Sequence, residues 1–372
     1  SMVPSMVNSE MPKRCWAEVD LGALIHNAGV AAARGDSVMA VIKADAYGHG
    51  MVAVGAALES HVDAFGVASI DEGMRLRAAG CRRPVFVLGA VAPELFPWLV
   101  DHELQASISS LAEAEALDGL AGRAGKKALV HLVFDTGMGR IGFLDTGEIG
   151  RVCSMPNLEV VGVASHYPSA DEDEEFTRAQ LASFSELVAS LDFTPRWVHI
   201  ANSAGVLGSH GGSTNLVRAG LMLYGSSPLA EHQDELQPAL TWKSRVTLVR
   251  DLPPGRSISY GRTFTTRRSP FTRVATIGVG YGDGYPRSLS GAGAEVLIRG
   301  QRCPLLGRVT MDQIMVDATG LGDVVGAGDE VVLIGRQGDQ SILAAELAEK
   351  AGTIAWEIFT RIGARVQRVY VH

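Results

Sequence analysis

A lysine stands at the end of an apolar stretch near the amino terminus. Lys43 follows the run 38–42, Val-Met-Ala-Val-Ile, and precedes the string Ala-Asp-Ala-Tyr-Gly-His-Gly. Burial disfavours the ammonium form and lowers the pKa of a lysine, and a neutral amine can attack an aldehyde to form an imine. A lone lysine at a strand end more commonly reaches into solvent. The neighbouring residues therefore decide whether Lys43 takes part in chemistry.

Further polar residues capable of binding or catalysis also follow short apolar runs. They are Tyr47 after the first run, Arg140 in Asp-Thr-Gly-Met-Gly-Arg, His166 in Ser-His-Tyr, Ser203 after Asn202, and Arg218 before Ala-Gly-Leu. Together with Lys43, this set suits a phosphorylated, anionic cofactor that carries an aldehyde. The hydroxyl of Ser203 and the backbone amides of Gly220 and Leu221 could hold the phosphate.

Each of these side chains also has a purely structural interpretation. Ser203 could be a helix N-cap, His166 a buried histidine with satisfied hydrogen bonds, and Arg140 a partner in a loop salt bridge. The glycines at 137, 139 and 142 favour instead a tight turn that presents the Arg140 guanidinium to an anion.

The candidate residues are separated by an alternating pattern of strands and helices. The apolar runs lie at 38–42, 64–68, 84–88, 105–108, 128–134, 160–164, 197–200 and 216–218. Two helix starts, Ser69-Ile-Asp-Glu72 and Ser110-Leu-Ala-Glu113, have capping-box spacing. This alternation predicts an α/β fold, a (β/α)8 TIM-like barrel preceded by a helix at about 21–34. The carboxyl ends of barrel strands share one rim, where the candidate residues would meet.

The pattern changes after about residue 240, where helical periodicity fades. Short β-rich runs follow at 240–250, 274–279, 295–298, 303–306, 314–317, 330–334 and 365–371, with a helical stretch near 341–360. We therefore predict an N-terminal tail at 1–13, a barrel domain at 14–240 and a mainly β C-terminal domain at 241–372.

The composition is that of an ordinary globular protein. The chain has 372 residues, 47% of them hydrophobic and 20% charged, with a net charge of −8. No basic patch suggests nucleic acid as a partner, and no apolar run approaches the roughly 20 residues that span a bilayer. A signal-peptide pattern is absent from the N-terminus, so we expect a cytoplasmic protein. The four cysteines lack metal-binding spacing, and no metal is expected.

Several strings together resemble the alanine racemase family. The ten residues 41–50, Val-Ile-Lys-Ala-Asp-Ala-Tyr-Gly-His-Gly, resemble the lysine signature of that family, whose cofactor is pyridoxal 5'-phosphate (PLP). The other matching strings are 17–27, 135–142, 199–204, 215–218, 257–264, 280–287 and 307–313. The resemblance covers nearly the whole chain, including the second domain.

The resemblance implies an enzyme that interconverts L-alanine and D-alanine and so supplies D-alanine for cell-wall peptidoglycan. It implies that Lys43 holds PLP covalently, and that the cofactor also contacts Tyr47, Arg140, His166, Asn202, Ser203, Arg218, Gly220 and Leu221. The amino-acid substrate would be bound by Arg140, Met311 and Asp312. The two catalytic bases would be Lys43 and Tyr260 of the partner subunit, which implies a homodimer with composite sites.

Two positions depart from the family pattern. Many relatives have a carbamylated lysine two residues before the aspartate of Asp-Thr-Gly, and this chain has Val133 there. What orients Arg140 is therefore unassigned. Relatives often have a tyrosine where this chain has Ala364, and the smaller residue predicts a wider pocket.

Three other functions stay open at this stage. A racemase of broader range, acting on serine or a basic amino acid, is suggested by Ala364. A PLP-dependent decarboxylase of the same two-domain type is disfavoured by the string Ser-Tyr-Gly-Arg at 259–262. A non-catalytic PLP-binding protein is disfavoured by the second domain, which that class usually lacks.

Overall fold

The computed structural model describes residues 11–35 and 37–372. Its chain contacts define two compact units, residues 20–239 and residues 11–19 together with 240–371. Strand β1 (Cys15–Asp20) pairs with residues 240–244 and so extends the sheet of the second unit. Our division by sequence placed this strand in the barrel domain. Residues 1–10 of the predicted tail lie outside the described residues.

The unit formed by residues 20–239 is a parallel barrel. Its strands are β2 (Val38–Val41), β3 (Ala64–Val67), β4 (Val85–Val87), β5 (Leu104–Ile108), β6 (Ala128–Val133), β7 (Leu158–Ala164), β8 (Trp197–His199) and β9 (Val217–Ala219). Strands β2 to β8 pair in chain order, and β9 pairs with β2. A parallel bridge between His199 and Leu216 joins the two remaining edges. The predicted (β/α)8 barrel is confirmed.

Helices alternate with these strands. They are Leu21–Ala32, Met51–Leu58, Ile70–Ala78, Phe96–Asp101, Leu111–Arg123, Ile149–Cys153, Glu174–Ala189 and Ser203–Leu207, with 3-10 turns at Pro93–Leu95, Leu221–Tyr224 and Ala230–Glu235. The predicted N-caps Ser69 and Ser110 are confirmed, because their hydroxyls accept hydrogen bonds from the backbone N–H of Glu72 and Glu113. These caps fix where the chain turns from the rim into a helix.

The barrel strands are apolar because helices cover their outer faces and the side chains of the strands fill the barrel interior. Every residue of β2, β3, β4 and β5 is buried. Besides Ser107, whose hydroxyl donates to the carbonyl of Val87, four polar side chains on these strands are buried: Gln105, His131, His199 and Arg218. A buried polar group is costly unless it is hydrogen-bonded, so these four residues mark a functional or structural network.

The second unit is mainly β, as predicted. Its further strands are β10 (Leu240–Leu252), β11 (Ser257–Ile258), β12 (Phe264–Thr265), β13 (Thr272–Ile277), β14 (Glu295–Ile298), β15 (Gln301–Pro304), β16 (Ile314–Asp317), β17 (Glu330–Gln337), β18 (Gln340–Ile342) and β19 (Gln367–Val371). The main sheet has the order β15-β14-β17-β10-β1-β19, and β13 connects β10 to β16. Two helices, Ala344–Ala351 and Ala355–Arg361, occupy the predicted helical stretch.

Three general features bear on the class of protein. Within residues 11–35 and 37–372, no helix is long and apolar enough to cross a membrane. The same residues contain no group of three or more histidine, cysteine, aspartate or glutamate side chains that could hold a metal ion. All four cysteines are free thiols.

Candidate active site

Lys43 lies just beyond β2 at the carboxyl-terminal rim of the barrel and is partly buried. Burial is the main cause that lowers the pKa of its amine, and the nearby charges of Arg140 and Arg218 lower it further. The carboxylate of Glu72 acts in the opposite direction. A lowered pKa increases the neutral fraction of the amine, which is the form that attacks an aldehyde.

The residues after Lys43 form a left-handed turn. All four residues 44–47 have φ between 51° and 54°, a conformation that costs L-residues roughly 1–2 kcal/mol each. The turn is stabilised at its far end, where Asp45 Oδ1 accepts a hydrogen bond of 2.8 Å from the backbone N–H of Met51. It carries Tyr47 from the rim into the interior, where that side chain is 5% exposed.

Tyr47, Ser203 and Gly220 converge on one small space. A Cβ atom at Gly220 would stand only 2.6 Å from the Tyr47 hydroxyl, so the space requires glycine. Ser203 Oγ accepts hydrogen bonds from the backbone N–H of Gly220 at 3.0 Å and of Met222 at 3.1 Å. The hydroxyls of Tyr47 and Ser203 thus both face the start of the helical turn at Leu221. Hydroxyl donors at such a position suit a phosphate.

The N-cap of the helix Ser203–Leu207 is Asn202, so the interpretation of Ser203 as an N-cap is wrong. Asn202 Oδ1 accepts a hydrogen bond from the backbone N–H of Gly205 at 3.0 Å. Its Nδ2 donates to the carbonyl of Tyr167 at 3.2 Å. Both ends of this amide are used locally, and Asn202 shapes the site by fixing the helix that carries Ser203.

Arg218 is 5% exposed and is held by neutral acceptors. Its Nη1 donates to His199 Nδ1 at 2.7 Å, and its Nη2 donates to His166 Nδ1 at 3.0 Å. Nη2 also contacts the carbonyls of Ser165 and Ile200. Burial lowers the pKa of Arg218 to about 10, which leaves it cationic at neutral pH. In the described part of the chain no carboxylate pairs with it, so the barrel presents a buried positive charge to any ligand.

A hydrogen-bond chain continues from Arg218 through the barrel interior. Because His199 Nδ1 accepts from Arg218, its Nε2 carries the proton and donates to His131 Nδ1 at 2.9 Å. His131 Nε2 then donates to Gln105 Oε1 at 2.7 Å. Burial lowers the pKa of His131 to about 3 and that of His199 well below its usual value, so both imidazoles are neutral. Our sequence analysis missed this chain, although each histidine interrupts an apolar run.

His166 is partly buried and is hydrogen-bonded to Arg218. Its Nδ1 accepts from Arg218, so its Nε2 carries the proton and can act as a donor. Burial lowers the pKa of His166 to about 3, with Arg218, Arg140 and Lys43 contributing in the same direction. The carbonyl of His166 is held by Gln180 Nε2 at 3.2 Å. His166 is thus a neutral, oriented imidazole beside three cations.

Arg140 is exposed on a loop of defined shape. Asp135 Oδ1 accepts hydrogen bonds of 3.0 Å from the backbone N–H groups of both Gly137 and Gly139. The Arg140 charge lowers the pKa of Lys43, His166 and Arg218, so Arg140, Lys43 and Arg218 form one electropositive cluster with the neutral His166 beside it.

The other candidates belong to the second unit. Tyr260 begins a 3-10 turn, and its side chain is 70% exposed. The carbonyl of Met311 accepts a hydrogen bond of 2.8 Å from Gly282. Asp312 forms a 2.8 Å ion pair with Arg365. The backbone of Met311 and the side chain of Asp312 thus each have a partner within their own unit.

Comparisons with known proteins agree over both units. Family models described as alanine racemase, N-terminal domain, and alanine racemase, C-terminal domain, match residues 19–228 and 239–370. An alanine racemase of Halothermothrix orenii is 41% identical over 98% of both chains. One of Symbiobacterium thermophilum is 45% identical over 95% of this chain and 96% of its own. The crystal structure of alanine racemase from Streptomyces lavendulae, a D-cycloserine producer, has a TM-score of 0.90 and 35% identity over 98% of both chains. The chain belongs to the alanine racemase family of isomerases.

Proposed function

We propose that this protein interconverts L-alanine and D-alanine with PLP as its cofactor. The proposal is carried by Lys43 at the rim of the barrel, where burial and two arginines lower the pKa of its amine. The family relationship supports the reaction, and the residues at the barrel rim would perform it. The proposal extends to the two-base mechanism, the homodimer and the supply of D-alanine for cell-wall peptidoglycan.

The barrel residues fit PLP. Lys43 would hold the cofactor covalently, and Tyr47, Ser203, Gly220 and Leu221 would bind its phosphate in the space that a Cβ at position 220 would fill. When bound, PLP withdraws electrons from the α-carbon of an attached amino acid and acidifies the α-proton. Arg218 and His166 would contact the ring. Because Arg218 stays protonated, it discourages protonation of a nitrogen placed against it.

Racemisation requires proton transfer on both faces of the α-carbon. Lys43 would transfer the proton on one face, and Tyr260 of the partner subunit would do so on the other. A tyrosine with its ordinary pKa near 10 is a weak base, so cations must stabilise the phenolate. Arg218, through the neutral donor His166, is suited to that task. The high exposure of Tyr260 in the single chain, 70%, is consistent with a side chain that enters the site of another copy.

The substrate carboxylate would be bound by Arg140, with Met311 and Asp312 of the partner subunit completing the site. Arg140 lies on an exposed loop held by Asp135, so its guanidinium is accessible. The position two residues before Asp135 is the buried, apolar Val133, which offers no charge to orient the arginine. A second candidate function, racemisation of serine or a basic amino acid, is favoured by the small and exposed Ala364.

The direct test is formation of D-alanine from L-alanine by the purified protein with added PLP, with L-serine and L-lysine in parallel. We expect alanine turnover to exceed both others. Comparable turnover of serine or lysine would favour the broader racemase. Bound PLP without turnover of any of the three would contradict the proposal and favour a non-catalytic PLP-binding protein. Release of carbon dioxide would indicate a decarboxylase.

A further inference from the structure

A single carboxylate ties the residue after Lys43 to the neighbouring barrel strand. Glu72 Oε2 accepts a hydrogen bond from the backbone N–H of Ala44 at 2.6 Å. Glu72 Oε1 accepts one from the backbone N–H of Ala68 at 2.7 Å. Ala44 follows Lys43, and Ala68 follows β3, which pairs with β2. Both oxygens of Glu72 therefore bind the carboxyl-terminal ends of two adjacent strands.

A second helix of the same barrel shows what helix capping alone requires. Glu113 follows its N-cap, Ser110, at the same spacing in the chain at which Glu72 follows Ser69. Its carboxylate interacts with the Ser110 hydroxyl at 3.1 Å and with the backbone of Ser109. Ser109 corresponds to Ala68, the residue before the N-cap. The bond from Ala44 to Glu72 is thus an addition that capping does not need.

The hydrogen bond from Ala44 to Glu72 lies where the backbone conformation is unfavourable. Ala44 opens the left-handed turn 44–47, in which each residue has positive φ. An acceptor on the N–H of Ala44 fixes the peptide plane between Lys43 and Ala44, and this plane sets the direction in which the Lys43 side chain leaves the rim. Hydrogen bonds to an ionised carboxylate are stronger than bonds between neutral groups.

We propose that Glu72 is a positioning residue for Lys43. Its carboxylate fixes the Lys43–Ala44 peptide to the end of β3 and so aims the lysine amine at the aldehyde that it must attack. The inference rests on the proposed function, in which Lys43 holds PLP.

The test compares Glu72→Gln with two control variants, Glu113→Gln and Ser69→Ala. In Glu72→Gln an NH2 group replaces one of the two carboxylate oxygens, and it cannot accept a hydrogen bond from the backbone N–H of Ala44 or Ala68 that it then faces. Because small displacements of a reacting group are costly, we expect kcat to fall roughly 10- to 100-fold with little change in KM. We also expect the apoprotein to form its borohydride-reducible PLP adduct roughly tenfold more slowly. Both controls should stay within about twofold of the parent, because they disturb capping only.

The outcomes separate this inference from the proposed function. Equal changes in kcat and adduct formation for Glu72→Gln and Glu113→Gln would overturn the inference. So would a loss of kcat in Ser69→Ala as large as that in Glu72→Gln. Lys43→Ala is measured alongside. If Lys43→Ala loses the PLP adduct while Glu72→Gln behaves like the parent, the inference about Glu72 is overturned and the role of Lys43 stands. An adduct that persists in Lys43→Ala overturns the assignment of Lys43 as well.

A measurement on the unchanged holoenzyme covers the case in which Glu72→Gln does not fold. The side chain of Ala44 is exposed, so without the bond to Glu72 its amide hydrogen would exchange quickly. We expect slow hydrogen exchange at the Ala44 amide. Exchange at the rate of an unprotected amide would overturn the inference.

Discussion

The reactivity that we assign to Lys43 comes from its neighbours. Burial and the arginines at 140 and 218 lower the pKa of the amine, while Glu72 acts against them. Lys43 was identifiable in the sequence because its surrounding string is highly specific. Four other residues could not be identified in the sequence: Glu72, His131, His199 and Gln105. Each is hydrogen-bonded to a partner that is distant in the chain and that only the fold brings near.

Tyr260→Phe tests the second base. Removing the hydroxyl eliminates proton transfer on one face of the α-carbon and leaves Lys43 for the other. We expect racemisation to fall by roughly 100-fold or more, within the range typical of a lost general acid–base group. Deuterium incorporation from solvent should decrease much more for one alanine enantiomer than for the other. Equal and small effects on both enantiomers would remove Tyr260 as a base.

The elements at the rim place these side chains by local backbone features. The left-handed turn 44–47 moves Tyr47 inward, and Asn202 fixes the helix that carries Ser203. The strand and helix pattern of the sequence predicted these elements and their order. It did not predict the left-handed turn, because four consecutive non-glycine residues with positive φ contradict their local preference. Contacts made after folding hold this turn: Ala46 and Tyr47 are buried, the backbone N–H of Ala44 is bonded to Glu72, and the side chain of Asp45 is bonded to the backbone of Met51.

Gly220→Ala tests the proposed phosphate site. The new Cβ would stand 2.6 Å from the Tyr47 hydroxyl, which must then move. Overpacking of this kind costs about 1–3 kcal/mol, so we expect the Kd for PLP to rise roughly tenfold or more. Gly29→Ala is the control, because a Cβ there has no neighbour within 4 Å. Unchanged PLP affinity in Gly220→Ala, measured by equilibrium dialysis, would argue against this site.

The histidine chain predicts how stability depends on pH. His131 has a pKa of about 3 in the folded protein and about 6.5 when unfolded, so the unfolded chain binds more protons between these values. The free energy of unfolding should therefore decrease as pH falls from about 6.5 towards 3, by about 1.4 kcal/mol per pH unit for this histidine. His131→Asn should be less stable at pH 7 but should lose less stability on acidification. Parallel pH profiles in denaturant unfolding would contradict neutral burial of His131.

The whole molecule divides the proposed chemistry between two units. Lys43 and the cofactor-binding residues lie within residues 20–239, whereas Tyr260, Met311 and Asp312 lie within 240–371. The sequence predicted both architectures, because helical periodicity ends near residue 240. It could not place β1, because the pairing partner of that strand, residues 240–244, is remote in the chain.

Mixed dimers test whether sites are shared between subunits. Lys43→Ala and Tyr260→Phe chains should each be nearly inactive alone. A mixed dimer would contain one site with both bases intact and one with neither. Random exchange of equal amounts should therefore restore up to about a quarter of the parent activity. No recovery, with subunit exchange verified by mass spectrometry, would argue against composite sites.

The most direct measurement is racemisation of L-alanine in deuterium oxide by the PLP-loaded protein, with Lys43→Ala as the control. We expect the two enantiomers to approach equal amounts and deuterium to appear at the α-carbon, and we expect neither change with the Lys43→Ala protein. Alanine that keeps its configuration and its α-hydrogen in the presence of protein with bound PLP would contradict the proposed function. Full racemisation by Lys43→Ala would contradict the role of Lys43.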